Sequence, residues 1–309
     1  MLAILAPGQG SQKPGFLSPW IQSDPAMERR LRAWSESIDL DLVHLGTEAG
    51  QDEITDTANT QPLLVAAGLL AAEHLPVDAA SAVAGHSVGE LTALALAGVL
   101  TPEAAVGLAA VRGRAMADAC RLEPTTMAAV LGGVEDEVLA AIEAAGAWPA
   151  NRNGAGQIVA AGPVAAIEKL AANPPVKARI IPLKVAGAFH TPHMAPALET
   201  LEAAAASIEV ADPVRTLLSN RDGKPVASGA VALQQVVAQV TSPVRWDACM
   251  STLGELGVTA VMELPPAGTL TGLAKRALKD VQRLNVNTPD DLASAAELGT
   301  QAGKNEGVE

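Results

Sequence analysis

Residues 85 to 89 read Gly-His-Ser-Val-Gly, between an apolar Ala82-Val83-Ala84 and the helix-forming run Leu91 to Ala97. The G-x-S-x-G pattern in a strand, turn and helix context is that of a nucleophile elbow. Its glycines allow a tight, strained turn that lifts the serine oxygen clear of the sheet, above the next helix. The helix dipole and the N–H of Val88 then favour negative charge beside Ser87. The chemistry predicted is nucleophilic attack by Ser87.

A serine nucleophile needs a base, and the chain has five histidines: 44, 74, 86, 190 and 193. His44 and His74 belong to amphipathic helical stretches, and surface or core-edge positions are expected. His86 adjoins Ser87 but points the wrong way to take its proton, so a packing or turn-stabilising role fits it better. In "VAGAFHTPHM", residues 185 to 194, His190 follows a strand in a loop of small residues, while His193 begins the next helix. The base role lies between these two. An acid to orient it is not evident. Asp212 precedes a proline, Asp222 sits in an "NRDGKP" turn and Asp247 is a third candidate. A main-chain carbonyl can hold an imidazole N–H instead.

Arg112 is out of place. In the helix opened by Thr101-Pro102-Glu103 and running to Cys120, it stands four residues after Leu108 and four before Met116, on an apolar stripe. Arg114 occupies another face with Asp118 at i+4, a surface pair. A core guanidinium is unfavourable unless an anion meets it. That anion is either a buried Asp or Glu or the carboxylate of a ligand.

The Gly-rich loop "LAPGQGSQKPG", residues 5 to 15, invites a phosphate-loop reading, yet completes neither G-x-G-x-x-G nor G-x-x-x-x-G-K-[ST]. An oxyanion-binding or main-chain pairing role stays open for it.

Positioning these groups requires strands ending where they begin. Residues 1–6 and 82–84 read as buried strands. Helices are expected at 26–38, 61–74, 89–97 and 102–120, so strand and helix alternate as in a parallel sheet covered on its faces. From about Thr125 to Gly187 the order becomes βαββαβ, its last strand spanning 178–187. This predicts a catalytic domain of residues 1–123 and 189–309 with an inserted subdomain at 124–188. Further strands are expected at 216–220 and 260–264, and helices at 193–206, 230–240, 246–256 and 268–279. The tail after Ala302 reads as disordered.

The 309 residues are enough for a large core. A net charge of -13 argues against nucleic acid or an anionic membrane as general partner, and 2% aromatic residues leave no base-stacking platform. Two cysteines, Cys120 and Cys249, read as reduced core thiols. With no signal-peptide pattern or spanning apolar run, a soluble cytoplasmic protein is expected.

Taken together, "PGQGSQ", "GHSVGE", "VRGRAM", "NGAGQIVAAG", "GAFHTPHM", "SPVRW" and "GTLTGLAKR" resemble the malonyl-CoA:acyl carrier protein transacylase family, in order from about Leu2 to Arg276. The resemblance implies an α/β-hydrolase-like large domain with a ferredoxin-like insertion. It implies Ser87 as nucleophile, His190 as base, Arg112 as the carboxylate-binding arginine and the main-chain carbonyl of Gln239 as the group orienting the base. The backbone N–H groups of Gln9 and Val88 would form the oxyanion hole, and Asn153 would line the cleft mouth. Phe189 in "AFH", and Val88 where methylmalonyl-type relatives tend to have Gln, imply malonyl selectivity. Gly187 departs from the His common there in modular synthases.

The implied reaction moves malonyl from malonyl-CoA to an acyl carrier protein, in fatty acid or polyketide synthesis, by a monomer without metal or redox cofactor. The acidic carrier would need a basic docking face, at Lys177, Arg179 and Lys184 or at Lys275, Arg276 and Lys279. A serine esterase or thioester hydrolase, which has no need of a buried arginine, and a non-catalytic carrier-protein scaffold are the rival readings.

Overall fold

The structure, a computed structural model, describes residues 1–306. Two five-stranded sheets organise the chain. The first contains β1 (Leu2–Ala6), β2 (Ala80–Gly85), β7 (Thr216–Leu218), β9 (Ala260–Glu263) and β10 (Gln282–Asn285), in the order β10-β9-β1-β2-β7. Every neighbouring pair is parallel. β1 is central and wholly buried, which is why it reads as an unbroken apolar run without alternation.

The second sheet holds β3 (Thr125–Gly132), β4 (Trp148–Gly154), β5 (Gln157–Pro163), β6 (Ala178–Pro182) and the two-residue β8 (Val244–Arg245), in the order β6-β3-β5-β4-β8. Helices Glu135–Ala145 and Val164–Ala172 complete the βαββαβ element order. Gly146, at φ 88°, closes the first of them in the left-handed conformation that a C-cap requires. Because β8 pairs parallel to β4, a segment from late in the chain is built into this sheet.

Two helices position the site from behind. Helix Thr57–Ala72 is buried almost all round, and helix Pro102–Cys120, capped by the Thr101 side chain, crosses it. At the crossing, a Cβ on Gly113 would stand 2.8 Å from the Thr57 carbonyl oxygen, so only glycine lets the backbones come this close.

Several boundaries differ from expectation. The strand read over 178–187 ends at Pro182, where the chain leaves the ladder for the cleft rim. The helix read over 193–206 is a 3-10 segment, Pro192–Ala197, followed by an α-helix, Leu198–Ala205, because Pro196 cannot supply an N–H. Short β8 and the exposed edge strand β10 carry too little apolar pattern to read from sequence. The tail expected to be disordered is helical as far as Glu306: helix Leu292–Glu306 buries Ala295, Leu298 and Ala302, an i, i+3, i+7 stripe that carries the backbone onward. The rest of that tail, residues 307–309, lies outside the described residues. Asp118 pairs with Arg121 rather than Arg114, which donates to the Ile38 carbonyl at 3.2 Å. No helix among the described residues is long and apolar enough to cross a membrane.

Candidate active site

The loop after β1 and the turn after β2 leave the carboxyl ends of adjacent parallel strands, where clefts form in open α/β sheets. His86 N–H donates to the Ala6 carbonyl at 3.0 Å, fastening the turn to the neighbouring strand. A Cβ on Gly85 would lie 2.0 Å from the Gly89 oxygen, and one on Gly89 would lie 2.2 Å from the Ala6 oxygen. Glycine is therefore required on both sides of the serine by space. The strain falls on Ser87 itself, at φ 54°, a region that costs an L-residue about 1–2 kcal/mol. Helix Gly89–Leu96 begins directly beneath it.

His190 also has positive φ, 60°. Its loop is pinned by Ala188 N–H on Thr125 Oγ1 at 2.9 Å and Thr191 Oγ1 on the Ala188 carbonyl at 2.7 Å. The imidazole Nε2 thereby lies 2.7 Å from Ser87 Oγ, and Nδ1 lies 2.9 Å from the main-chain oxygen of Gln239. A carbonyl only accepts, so Nδ1 carries the proton and Nε2 presents its lone pair to the serine hydroxyl. Burial, and then the charge of Arg112, push the imidazole down to about 3, which keeps it neutral at physiological pH.

Of the other candidates for these roles, His193 turns away to pair with Glu123 at 2.8 Å. Asp212 accepts from Gly229 N–H, Asp222 from Lys224 N–H, and Asp247 pairs with Arg245 and Arg152. None of the three is bonded to His190. His44 pairs with Glu48 and Glu53 on the surface, and His74 is exposed. His86 directs Nε2 to Asn153 Oδ1 at 2.9 Å and sets its ring edge-on to Trp246, with burial pushing its pKa down.

Arg112 is 1% exposed and reaches the same oxygen from below, its Nη2 standing 3.5 Å from Ser87 Oγ. Among the described residues it has no ion pair. Its Nη1 donates to Gln61 Oε1 at 2.5 Å and its Nη2 to Gln239 Oε1 at 2.9 Å, while the buried Nε has no partner. The glycine crossing at Gly113 brings Gln61, one turn into helix Thr57–Ala72, within this reach. Burial lowers Arg112 to about 10, with Glu90 opposing, so it remains charged at neutral pH.

A cleft of about 460 Å³ opens above Ser87. Gln9, Asn153, Phe189 and His190 line it, and the exposed Lys184 and Arg276 stand at its rim. The remaining members of the two basic clusters, Lys177, Arg179, Lys275 and Lys279, are exposed outside it. A Cβ on Gly8 would sit 2.8 Å from the His86 carbonyl, which shows how closely the first loop lies against the turn. Among the described residues, the N–H groups of Gln9 and Val88 have no acceptor. Gly187 packs on Cys120: a Cβ there would fall 2.5 Å from its Sγ. Burial pushes the Cys120 thiol up to about 11 and raises Cys249 further, which disfavours the thiolate of each.

The acyl transferase domain model matches residues 5–302. The malonyl CoA-acyl carrier protein transacylase of Mycobacterium tuberculosis (strain ATCC 25618 / H37Rv) is 58% identical over 303 residues, covering 96% of this chain and 100% of that protein. The chain belongs to the malonyl CoA-acyl carrier protein transacylase family. The crystal structure of MCAT from Mycobacterium tuberculosis superposes with a TM-score of 0.92 at 57% identity, covering 96% of this chain and 99% of that one. A type II PKS acyl-carrier protein in complex with its malonyl-transacylase matches with a TM-score of 0.87 at 30% identity, covering 96% and 99%. Like these transacylases, the chain is an acyltransferase with a parallel sheet and a second sheet flanking one cleft.

Three residues of the site escaped sequence reading. Gln61, Glu90 and Asn220 are 0%, 3% and 0% exposed. Their one signal is polarity in apolar surroundings: Gln61 before Pro62-Leu63-Leu64, Glu90 just before Leu91 at the start of a mostly apolar helix, Asn220 after Leu217-Leu218-Ser219.

Proposed function

We propose that this acyltransferase moves a malonyl group from malonyl-CoA to the phosphopantetheine thiol of an acyl carrier protein, by way of a malonyl-serine ester. The observation that carries the reading is the meeting of three groups at one oxygen: Ser87 Oγ has His190 Nε2 at 2.7 Å and Arg112 Nη2 at 3.5 Å. Nucleophile, neutral base and buried cation suit an acyl group ending in a carboxylate.

His190 takes the Ser87 proton as Oγ attacks the thioester carbon, and the tetrahedral oxyanion is held by Gln9 and Val88 N–H. Collapse breaks the carbon–sulfur bond, and the proton on His190 leaves with the CoA thiol. The malonyl carboxylate rests on Arg112. The carrier's thiol gives its proton to His190, attacks the ester and regenerates the Ser87 hydroxyl. Thioester and ester are exchanged at one oxidation level, so these steps call for neither metal nor redox cofactor. Phe189 narrows the space beside the substrate α-carbon, and Asn153 holds the cleft mouth through His86. The charge of -13 makes a local basic rim necessary for an acidic carrier, and Lys184 and Arg276 supply one residue from each cluster at the opening.

The relatives' names and the carrier complex support this reading. Fatty acid synthesis is the context it favours; service to a polyketide carrier, a monomeric state and a cytoplasmic location are part of the proposal. We also read the larger lobe as α/β-hydrolase-like and residues 124–188 as a ferredoxin-like insertion. Intact-protein mass spectrometry with malonyl-CoA tests the mechanism. A malonyl adduct should form on the wild type, vanish in Ser87→Ala and discharge onto holo carrier protein. Persistence in Ser87→Ala would move the nucleophile elsewhere, and discharge mainly to water would make the enzyme a hydrolase.

A further inference from the structure

Glu90 lies in the first turn of helix Gly89–Leu96, and its two carboxylate oxygens serve different partners. Oε1 accepts the main-chain N–H of Asn220 at 2.9 Å, and Oε2 accepts Gln239 Nε2. The same Nε2 faces Asn220 Oδ1 at 3.0 Å and the Ser87 carbonyl at 3.3 Å. Asn220 in turn accepts Ser87 N–H on Oδ1 at 2.8 Å and donates Nδ2 to the Gly85 carbonyl at 2.7 Å. The amide nitrogen of Gln239 is thus surrounded by acceptors. Its oxygen has to face the other way, towards Arg112 Nη2 at 2.9 Å.

We propose that Glu90 is a positioning residue for recognition of the substrate carboxylate: its ionised carboxylate, which only accepts, fixes the orientation of the Gln239 amide, whose oxygen holds the Arg112 guanidinium beside Ser87. The proposal rests on the assignment of Arg112 to the malonyl carboxylate. A glutamine at position 90 has one accepting end and one donating end. Whichever way it turns, an N–H meets either the Asn220 N–H or the Gln239 amide. Flipping Gln239 to relieve this would present its NH₂ to the guanidinium. His190 is insulated from the change, because the main-chain carbonyl of Gln239, not its amide, holds the imidazole.

The test uses the full chain at pH 8, where the Glu90 carboxyl is ionised, with single-turnover acylation by malonyl-CoA and by acetyl-CoA, and reads the ratio of the two rates. Glu90→Gln is expected to lower the malonyl-to-acetyl ratio at least about tenfold. Gln239→Met, which removes the amide but keeps the main-chain carbonyl, should lower it similarly and decides the matter should Glu90→Gln not fold. Equal loss for both acyl groups, or ratios within about twofold of wild type in Glu90→Gln and Gln239→Met, would overturn the proposal while Arg112→Ala still lowers the ratio. If Arg112→Ala leaves the ratio unchanged, the carboxylate assignment itself falls, and this proposal with it.

Discussion

His190 is aimed at Ser87 by the main-chain oxygen of Gln239, 2.9 Å from Nδ1. That oxygen belongs to a 3-10 turn, Gln239–Thr241, closed by the Ser242 N–H on the same carbonyl at 3.1 Å. A peptide carbonyl carries no net charge, so it sets the tautomer and raises the basicity of the imidazole less than burial and Arg112 lower it. The base is therefore a weak one, kept neutral by burial and by Arg112.

One expectation is a displaced acid limb. With the imidazole held at about 3, against an ordinary value of 6.5, the neutral form needed to accept the serine proton persists through mildly acidic pH. Acetyl-CoA is the suitable substrate, since its acyl group makes no demand on Arg112. Single-turnover acylation followed by mass spectrometry should stay flat through pH 6.5 and fall only below about pH 5. A midpoint near 6.5 would show that His190 titrates as an ordinary histidine.

Arg112→Ala removes the buried cation next to Ser87 Oγ. Malonyl transfer is expected to fall on the order of 10²-fold, the scale of a lost charge-assisted contact, while acetyl transfer rises relative to it. Steady-state rates with the two thioesters decide this. Equal losses would make Arg112 a structural group.

The elbow strain can be read directly by comparing Ser87→Gly with Ser87→Ala. Both lack Oγ and neither should form an acyl-enzyme, but only glycine accepts φ 54° without penalty. Chemical denaturation should find Ser87→Gly more stable than Ser87→Ala by about 1 kcal/mol. The reverse order would mean that the turn relaxes when Oγ is removed.

Glu90 makes stability depend on pH in a particular direction. Burial raises its carboxyl from 4.5 to about 7, against the pull of Asn220, Arg112 and Gln239, so between these values the folded chain holds a proton that the unfolded chain has released. The contribution is full below pH 4.5 and is lost as pH rises through 7. The charged and titratable groups facing it are Arg112 and the Cys249 thiol, with His190 beyond Arg112. The wild type minus Glu90→Gln stability difference should therefore be larger at pH 5 than at pH 8, on the order of 2 kcal/mol. Denaturant midpoints at both pH values measure it, and an unchanged difference would show Glu90 titrating alike in both states.

Motifs that report their own geometry were legible in the sequence. G-x-S-x-G names both the residue that bears the strain and the two positions where no side chain fits. Arg112 betrayed itself by sitting on an apolar stripe. What the motif could not supply was the partner of that arginine: Gln61 and Gln239 are neutral amides from distant segments, and no local pattern marks an amide as an acceptor. The residues alone leave His190 and His193 open and the family resemblance points to His190; the tertiary reason, His193 turning to Glu123, shows only in the fold. Edges were hardest to read. β8 has two residues and β10 is mostly exposed, so neither carries the apolar periodicity by which strands are recognised.

The parallel pairing of β8 with β4 stitches the walls of the cleft together just beyond Gln239. Prying them apart would break the Asn151 to Val244 ladder and uncover Trp246, which is 0% exposed and packed on His86. That ladder and the buried indole oppose widening of the cleft at this corner. In the proposed reaction, access to Ser87 becomes a question of reach: each thiol would arrive on an arm long and thin enough to thread the opening above it.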